Sequence, residues 1–149
     1  MSKVIDLFLQ FAHLPRCSYH AQELKKFIID FCLKHGCDVN VDNVGNIVAR
    51  KGEPRLAFQG HYDMVCVGES PAQEIVIEKG WMFSRKGSLG ADNGIAVAMM
   101  LMLIEEYDTI ECLFTADEEV GFLGASGCEL SLKSHYLINL DSETLGEIV

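Results

Sequence analysis

Apolar residues recur at helical spacing in the first part of the chain, which predicts two amphipathic helices there. The first helix is expected to end before Pro15, because proline interrupts the helical hydrogen bonds. The second apolar stripe extends from Leu24 to Cys32 and is followed by Gly36, a residue type that commonly stops a helix. Ser18 is a candidate N-cap for this second helix. We expect both stripes to face the protein core.

Short apolar runs bounded by turn residues predict strands in the remainder of the chain. Val39 and Val41 alternate with polar residues before the chain turns and returns at 47–49, which is typical of a hairpin near a sheet edge. Further strands are predicted at 56–58, 74–78, 110–114 and 136–140. The run from Ile95 to Ile104 predicts a helix that is buried on nearly all sides, and 121–128 predicts a short helix. This alternation of helices with short strands favours a layered α/β fold.

Charged side chains follow directly after three of the predicted buried strands. His61 and Asp63 follow the first, Glu118 and Glu119 the second and Asp141 the third, while Asp92 lies where a glycine-rich loop meets the long helix. In α/β sheets, ligands gather at the carboxyl ends of the strands. We therefore expect these six side chains to converge on one crevice, as a catalytic site requires.

The composition restricts the classes of function that the chain can have. Its 149 residues carry a formal net charge of −10, which disfavours nucleic acid as a partner because phosphate groups would be repelled. The longest apolar run is far shorter than the roughly 20 residues that span a bilayer. No secretory signal is visible, and the six cysteines form no C-x-x-C pair, several of them lying in apolar runs as free thiols do. We expect one globular domain in a reducing, cytoplasmic setting, with no membrane partner.

The six side chains are one imidazole and five carboxylates, a nitrogen and oxygen ligand set that suits Zn²⁺ and, less selectively, Mn²⁺ or Co²⁺. Two ions roughly 3.5–4 Å apart could share the Asp92 carboxylate and hold a hydroxide between them. Glu118 and Glu119 would point opposite ways on a strand, so one is expected to bind metal and the other to take a proton from the water. Asp63 could hydrogen-bond the His61 ring and fix its tautomer.

Each of these motifs has a simpler structural explanation when it is taken alone. His61 and Asp63 are commonly a structural pair, and residues 92–94 are typical of a helix-capping turn. The acids at 117–119 could be a solvated turn, and Asp141 could simply end its strand. Their joint occurrence at strand ends is what favours a site over these alternatives.

Four segments together carry a resemblance to a known group of enzymes. They lie at 60–65, 88–95, 115–121 and 139–143, and include Leu-Gly-Ala-Asp-Asn-Gly and Asn-Leu-Asp-Ser-Glu. Their order and spacing resemble the co-catalytic zinc exopeptidases of the aminoacylase and carboxypeptidase group. Within that group they are most similar to the aminoacyl-histidine dipeptidase (peptidase D) family, over nearly the whole chain.

The resemblance implies a fold, a set of residue roles and a reaction. The fold is a three-layer α/β arrangement with a mixed sheet flanked by helices. His61 and Asp141 would bind one zinc ion, Asp92 would bridge two, Glu119 would bind the other, Glu118 would be the general base and Asp63 would orient His61. The family also carries a cis peptide at the position of Asp92-Asn93. The implied reaction is metal-dependent hydrolysis of small peptides, Xaa-His dipeptides in particular.

The chain is shorter than members of this family, and residues 1–149 are expected to be the N-terminal portion of a metallopeptidase catalytic domain, without the lid domain. A second histidine ligand is expected to be missing, since none of His13, His20, His35 and His135 lies in a matching motif. This predicts weak or single metal occupancy and little activity from this chain alone. Residues 145–149 resemble the start of a new strand. An uncovered strand edge also predicts self-association, and so a homo-oligomer.

Three hypotheses about the function remain open at this point. The first is the dipeptidase. The second keeps the same metal site but acts on N-acyl amino acids as a deacylase, or on longer peptides as a tripeptidase. The third is a non-catalytic module that only binds metal or a partner.

Overall fold

Most of the described helices and strands follow the order that the hydrophobic pattern predicts. The computed structural model describes residues 2–71 and 74–142. Its elements are α1 (Lys3–Phe11), α2 (Gln22–Lys34), β1 (Asp38–Val41), β2 (Ile47–Lys51), β3 (Leu56–His61), β4 (Ile75–Glu78), β5 (Trp81–Ser84), α3 (Ala91–Glu106), β6 (Ile110–Thr115), α4 (Leu123–Ser126) and β7 (Tyr136–Asn139).

Five of the strands form one mixed sheet in the order β1-β2-β6-β3-β7. β6, β3 and β7 run parallel to one another, whereas β2 is antiparallel to both β1 and β6. The carboxyl ends of the three parallel strands therefore meet at the same edge of the sheet. β4 and β5 form a separate antiparallel hairpin. The α/β class with a mixed sheet flanked by helices is confirmed.

The core lies between the helices and this sheet. α3 packs against β3 and β6 and is itself covered by α1, while α2 contacts β1 and β2. All six residues of β6 are buried, as expected for a strand in the middle of the sheet. The apolar stripes of α1 and α2 face this core through Phe8, Phe11, Leu24 and Ile28. No helix in the described part of the chain is both long and apolar enough to cross a membrane.

Several expectations about single elements are wrong. Ser18 does not cap α2: the helix begins after Ala21, and the Ser18 hydroxyl donates instead to Asp63. The strand predicted at 136–140 is exposed along β7 rather than buried, because β7 is the last strand of the sheet in the described residues. β5 was not predicted. The strand expected at 145–149 lies outside the described residues.

Candidate metal centre

His61 is the last residue of β3, and its ring lies at the centre of the predicted site with 1% of its side chain exposed. Nδ1 lies 3.0 Å from the carbonyl oxygen of Asp63 and 3.4 Å from its Oδ1. Nε2 faces three other carboxylates: Asp92 Oδ1 at 3.2 Å, Asp141 Oδ2 at 3.8 Å and Glu118 Oε2 at 3.9 Å. If Nδ1 donates to Asp63, the lone pair of Nε2 points towards the carboxylates and is free to bind a cation.

Asp63 is fully buried and connects His61 to the turn after β6. Its carboxylate accepts hydrogen bonds from the Ser18 hydroxyl at 2.7 Å and from the backbone N–H groups of Glu118 at 3.0 Å and Glu119 at 3.4 Å. Burial alone would raise the pKa of Asp63, but the hydrogen bonds from His61, Glu118 and Ser18 outweigh burial and lower it. Asp63 is therefore an anionic support for the site rather than an exposed ligand.

Asp92 stands at an irregular start of α3. Gly90, just before the helix, has a left-handed conformation with φ +67°, and Asp92 and Asn93 depart from helical φ and ψ. The Asp92-Asn93 peptide is cis, as the resemblance implies. Whereas the His61 ring is buried, the Asp92 side chain is 75% exposed. This geometry leaves the Asp92 carboxylate facing both His61 and solvent.

Glu118 and Glu119 belong to a turn that directly follows β6, and each contributes to a different group of possible ligand atoms around His61. One group of possible ligand atoms comprises His61, Glu118 and Asp141, and a second comprises His61, Asp92 and Glu119. Within each group the ligand atoms lie within 4.8 Å of one another. All six side chains singled out in the sequence are thus brought together, and the other four histidines belong to neither group of described residues.

The site contains more negatively charged than positively charged side chains. Burial alone would lower the pKa of His61, but its hydrogen bond to Asp63 and the charges of Asp63, Asp141 and Glu118 outweigh burial and raise that pKa to about 9. Burial also raises the pKa values of Glu118 and Glu119, with further increases from neighbouring carboxylates against the opposing effect of His61. Within residues 2–71 and 74–142, no lysine or arginine forms an ion pair with these carboxylates.

A cleft of about 290 Å³ opens beside Asp92 and Glu119. It is lined by Met64, Val65, Ser88, Gly90, Ala91, Asp92 and Glu119. A larger apolar cavity of about 430 Å³ lies at the opposite end of the sheet, between the starts of β3 and β6 and the end of α3. The smaller cleft adjoins the carboxylates, so it is the candidate substrate site.

The chain is similar to known peptidases in both sequence and structure. It is 34% identical to the cytosol non-specific dipeptidase of Escherichia coli (strain K12), over 96% of this chain and 34% of that protein. The aminoacylhistidine dipeptidase of Vibrio alginolyticus superposes on 97% of this chain and 34% of that chain, with a TM-score of 0.85 and 31% identity. Over the residues matched, the chain resembles dipeptidases in both sequence and fold.

More distant structures share the fold alone with this chain. A dinuclear metal binding M20 peptidase of Bacillus subtilis matches 78% of this chain and 35% of that chain, with a TM-score of 0.53 and 16% identity. No family model matches the sequence. The chain spans about a third of the length of the relatives it matches.

The residues of the candidate site fit a divalent metal ion. Two overlapping groups of nitrogen and oxygen atoms share His61, and the distances among these atoms are those that one ion could span. Several carboxylates at this spacing repel one another, and a cation would relieve that repulsion. The donor set is the one that suits Zn²⁺, Mn²⁺ or Co²⁺.

The segment at residues 16–19 links the loops of the site, a role that the sequence does not predict. The Arg16 carbonyl accepts from Met64 N–H, the Ser18 hydroxyl donates to Asp63, and Tyr19 N–H donates to Asp117 Oδ1 at 2.6 Å. The position of this segment just after Pro15 gave no local signal of these contacts, because their partners lie 45 to 98 residues away.

Cys17, in the same segment, forms a disulfide with Cys66. The expectation of free thiols in a reducing setting is wrong for this pair, although Cys32, Cys37, Cys112 and Cys128 are free. The two paired cysteines are separated by 49 residues and are brought side by side where Cys17 and Met64 form a parallel bridge. The disulfide thus joins the 16–19 segment to the loop after His61.

Proposed function

We propose that this chain forms part of the active site of a metal-dependent peptidase that hydrolyses small peptides, Xaa-His dipeptides in particular. The observation that carries the proposal is the convergence of His61 with Asp92, Glu119 and Asp141 at the carboxyl edge of the sheet. Identity to a dipeptidase supports the substrate class. The proposal treats residues 1–149 as the N-terminal portion of a longer catalytic domain, since the chain spans about a third of its relatives.

In this proposal, His61 and Asp141 would hold one ion, Glu119 would hold a second and the Asp92 carboxylate would bridge them. Two zinc ions, or Mn²⁺ or Co²⁺ in their place, would polarise the scissile carbonyl and lower the pKa of the attacking water towards about 7. Asp63 keeps Nδ1 of His61 hydrogen-bonded, so that Nε2 is the ligand atom.

Glu118 is proposed as the general base. Its carboxylate lies 3.9 Å from His61 Nε2 and is 18% exposed, so it borders the ligand atoms while remaining open to substrate and water. The carboxylate would take a proton from the attacking water and deliver it to the nitrogen of the leaving amine, which leaves Glu118 ionised again. The cleft beside Asp92 and Glu119 would hold the peptide, and its size favours a short one.

The experiment measures hydrolysis by the 149-residue chain with added Zn²⁺ or Mn²⁺, using Xaa-His dipeptides, a tripeptide and an N-acyl amino acid. We expect low, metal-dependent turnover with dipeptides preferred. Glu118→Gln should lower kcat by about 10²–10⁴-fold while zinc binding is kept. Glu53→Gln, which changes a carboxylate that is 90% exposed, is the matched control and should have no effect.

The outcomes separate the alternatives. Preference for the acyl amino acid or the tripeptide would favour the deacylase or tripeptidase reading, and metal binding without turnover would favour the non-catalytic module. Full activity in Glu118→Gln would contradict the assigned mechanism. A calorimetric titration that finds two tight zinc sites would contradict the expected weak or single occupancy.

The cytoplasmic setting remains part of the proposal. It is supported by the description of the Escherichia coli relative as a cytosol enzyme.

A further inference from the structure

Arg16 is a fully buried arginine that lies against the loop before Asp92. Its Nη2 donates hydrogen bonds to the carbonyl oxygens of Leu89 at 3.2 Å and Gly90 at 2.7 Å. Gly90 is two residues before Asp92, at the point where the loop enters α3. The guanidinium therefore holds the backbone from which the Asp92 side chain projects.

The backbone on both sides of Asp92 leaves room for this guanidinium. A Cβ atom at Gly90 would overlap Nη2 of Arg16, and a Cβ atom at Gly94 would lie 2.8 Å from Nη1. Gly90 also has a left-handed conformation that disfavours other residues. Glycine at both positions lets Arg16 approach the chain before and after the Asp92-Asn93 peptide.

Packing alone does not account for an arginine at this position. Nε and Nη1 have no hydrogen-bond partner in the described part of the chain. Burial lowers the pKa of Arg16 to about 10, against the opposing charge of Asp63, so the group stays protonated at neutral pH. The rings of Phe8 and Phe11, each 5.7 Å from Cζ, give some compensation through cation–π contact. An apolar side chain would avoid these desolvation costs.

The Asp92 side chain has little else to hold it. It is 75% exposed, and in the described residues its carboxylate hydrogen-bonds only His61. The hydrogen bond to His61 orients one carboxylate oxygen, and the position from which the side chain projects is set by the backbone that Arg16 holds.

We propose that Arg16 is a positioning residue that fixes the Asp92 carboxylate for metal binding by holding the Leu89 and Gly90 carbonyl oxygens. Arg16 itself touches neither the metal ligands' donor atoms nor the cleft. The inference rests on the proposed function, because it takes Asp92 as a metal ligand.

The test compares Arg16→Met and Arg16→Lys with the unchanged chain. Zinc affinity is measured by calorimetry, and the visible absorption spectrum of bound Co²⁺ reports the arrangement of the ligands. We expect both variants to weaken zinc binding by about tenfold, the lower end of the effect of removing a group that supports a ligand. The Co²⁺ spectrum should change in both. Methionine has no donor, and the lysine ammonium, a compact charge on a differently shaped stem, would not take the position of Nη2 between the two carbonyl oxygens.

Lys51→Met is the matched control. The Lys51 side chain donates from Nζ to the carbonyl oxygen of Ile104 at 2.9 Å, near the C-terminal end of α3 and away from Asp92. This variant should lose stability but keep the zinc affinity and the Co²⁺ spectrum of the unchanged chain. If Arg16→Met does not fold, as judged by circular dichroism, Arg16→Lys decides.

Wild-type affinity and spectrum in a folded Arg16→Met, or in Arg16→Lys if Arg16→Met does not fold, would overturn the inference, since Asp92 would then be positioned without the hydrogen bonds from Nη2. An equal loss of affinity in Lys51→Met would also overturn it, because the effect would then be one of general stability. If the unchanged chain binds neither Zn²⁺ nor Co²⁺, the proposed function fails instead, and with it the premise about Asp92.

Discussion

At the scale of single residues, His61 and Asp63 form a pair whose protonation is set by their surroundings. Burial alone would lower the pKa of His61, but Asp63 and the nearby carboxylates raise it to about 9. Without a bound cation the ring is therefore protonated at neutral pH. A metal ion binds only the neutral ring, so it has to displace this proton.

We predict that zinc binding at pH 7.5 releases close to one proton and that the apparent affinity rises as the pH rises towards 9. The sign follows because a higher pH increases the fraction of neutral His61. Asp63→Asn should lower the His61 pKa, so fewer protons are released, and should weaken zinc binding by about 10–100-fold as the ring loses its support. Calorimetry in buffers with different ionisation enthalpies measures the proton release.

Asp30→Asn, at a carboxylate that is 58% exposed and lies on α2, is the control for this pair of measurements. It should leave both affinity and proton release unchanged. Equal proton release by the unchanged chain and Asp63→Asn would contradict the assigned role of Asp63 in the His61 pKa.

At the scale of elements, β6 holds the segment that leads to β7. Glu111 of β6 is fully buried, and its carboxylate accepts from the backbone N–H groups of Lys133 at 3.1 Å and Ser134 at 2.8 Å. It also pairs with Arg50 at 2.6 Å. Burial alone would raise the pKa of Glu111, but these hydrogen bonds outweigh burial and lower it. The carboxylate thus fixes the approach to the strand that delivers Asp141.

We predict that Glu111→Gln lowers the free energy of unfolding by about 1–3 kcal/mol at pH 7, the cost of losing hydrogen bonds to a charged group. The folded-state pKa lies below the ordinary value of 4.5, so the contribution is complete above pH 4.5 and is lost as the pH falls through the folded-state pKa. The stability difference between the two proteins should therefore narrow in acid. Urea unfolding at several pH values measures the difference in the free energy of unfolding between the two proteins. A difference that stays constant down to pH 3 would contradict the prediction.

At the scale of the whole molecule, the sheet ends in a strand with exposed apolar side chains. β7 is the last strand of the described sheet, and Tyr136, Leu137 and Ile138 are 68%, 50% and 43% exposed. Among the described residues, no strand pairs with its outer edge. Exposed apolar edge strands promote association with other chains.

We predict that the chain self-associates through β7 and that Leu137→Lys shifts it towards the monomer, because a charge on an edge strand opposes pairing. Sedimentation velocity at several protein concentrations measures the effect. Leu33→Lys, at a similarly exposed leucine on α2, is the control and should not change the association. A strictly monomeric unchanged chain would contradict this prediction.

Local pattern was enough to predict most of the secondary structure, because the spacing of apolar residues depends only on nearby sequence. The stripes of α1 and α2 and the apolar run of β6 are examples. The local pattern did not predict the contact of Ser18. Its sequence position is typical of an N-cap, but its hydroxyl donates a hydrogen bond to the buried Asp63. The local pattern also did not predict that β7 is exposed, because an apolar run does not indicate whether its strand lies in the middle or at the edge of a sheet.

The sequence by itself determined which residues end the parallel strands, and parallel strands bring their carboxyl ends to one edge. His61, Glu118 and Asp141 could therefore be grouped before any coordinates were known. Only the tertiary structure decided that Arg16 lies against the loop before Asp92 and that Cys17 meets Cys66. Such contacts join residues 49 to 74 positions apart, and they depend on how complete elements pack, which no local pattern of apolar and polar residues records.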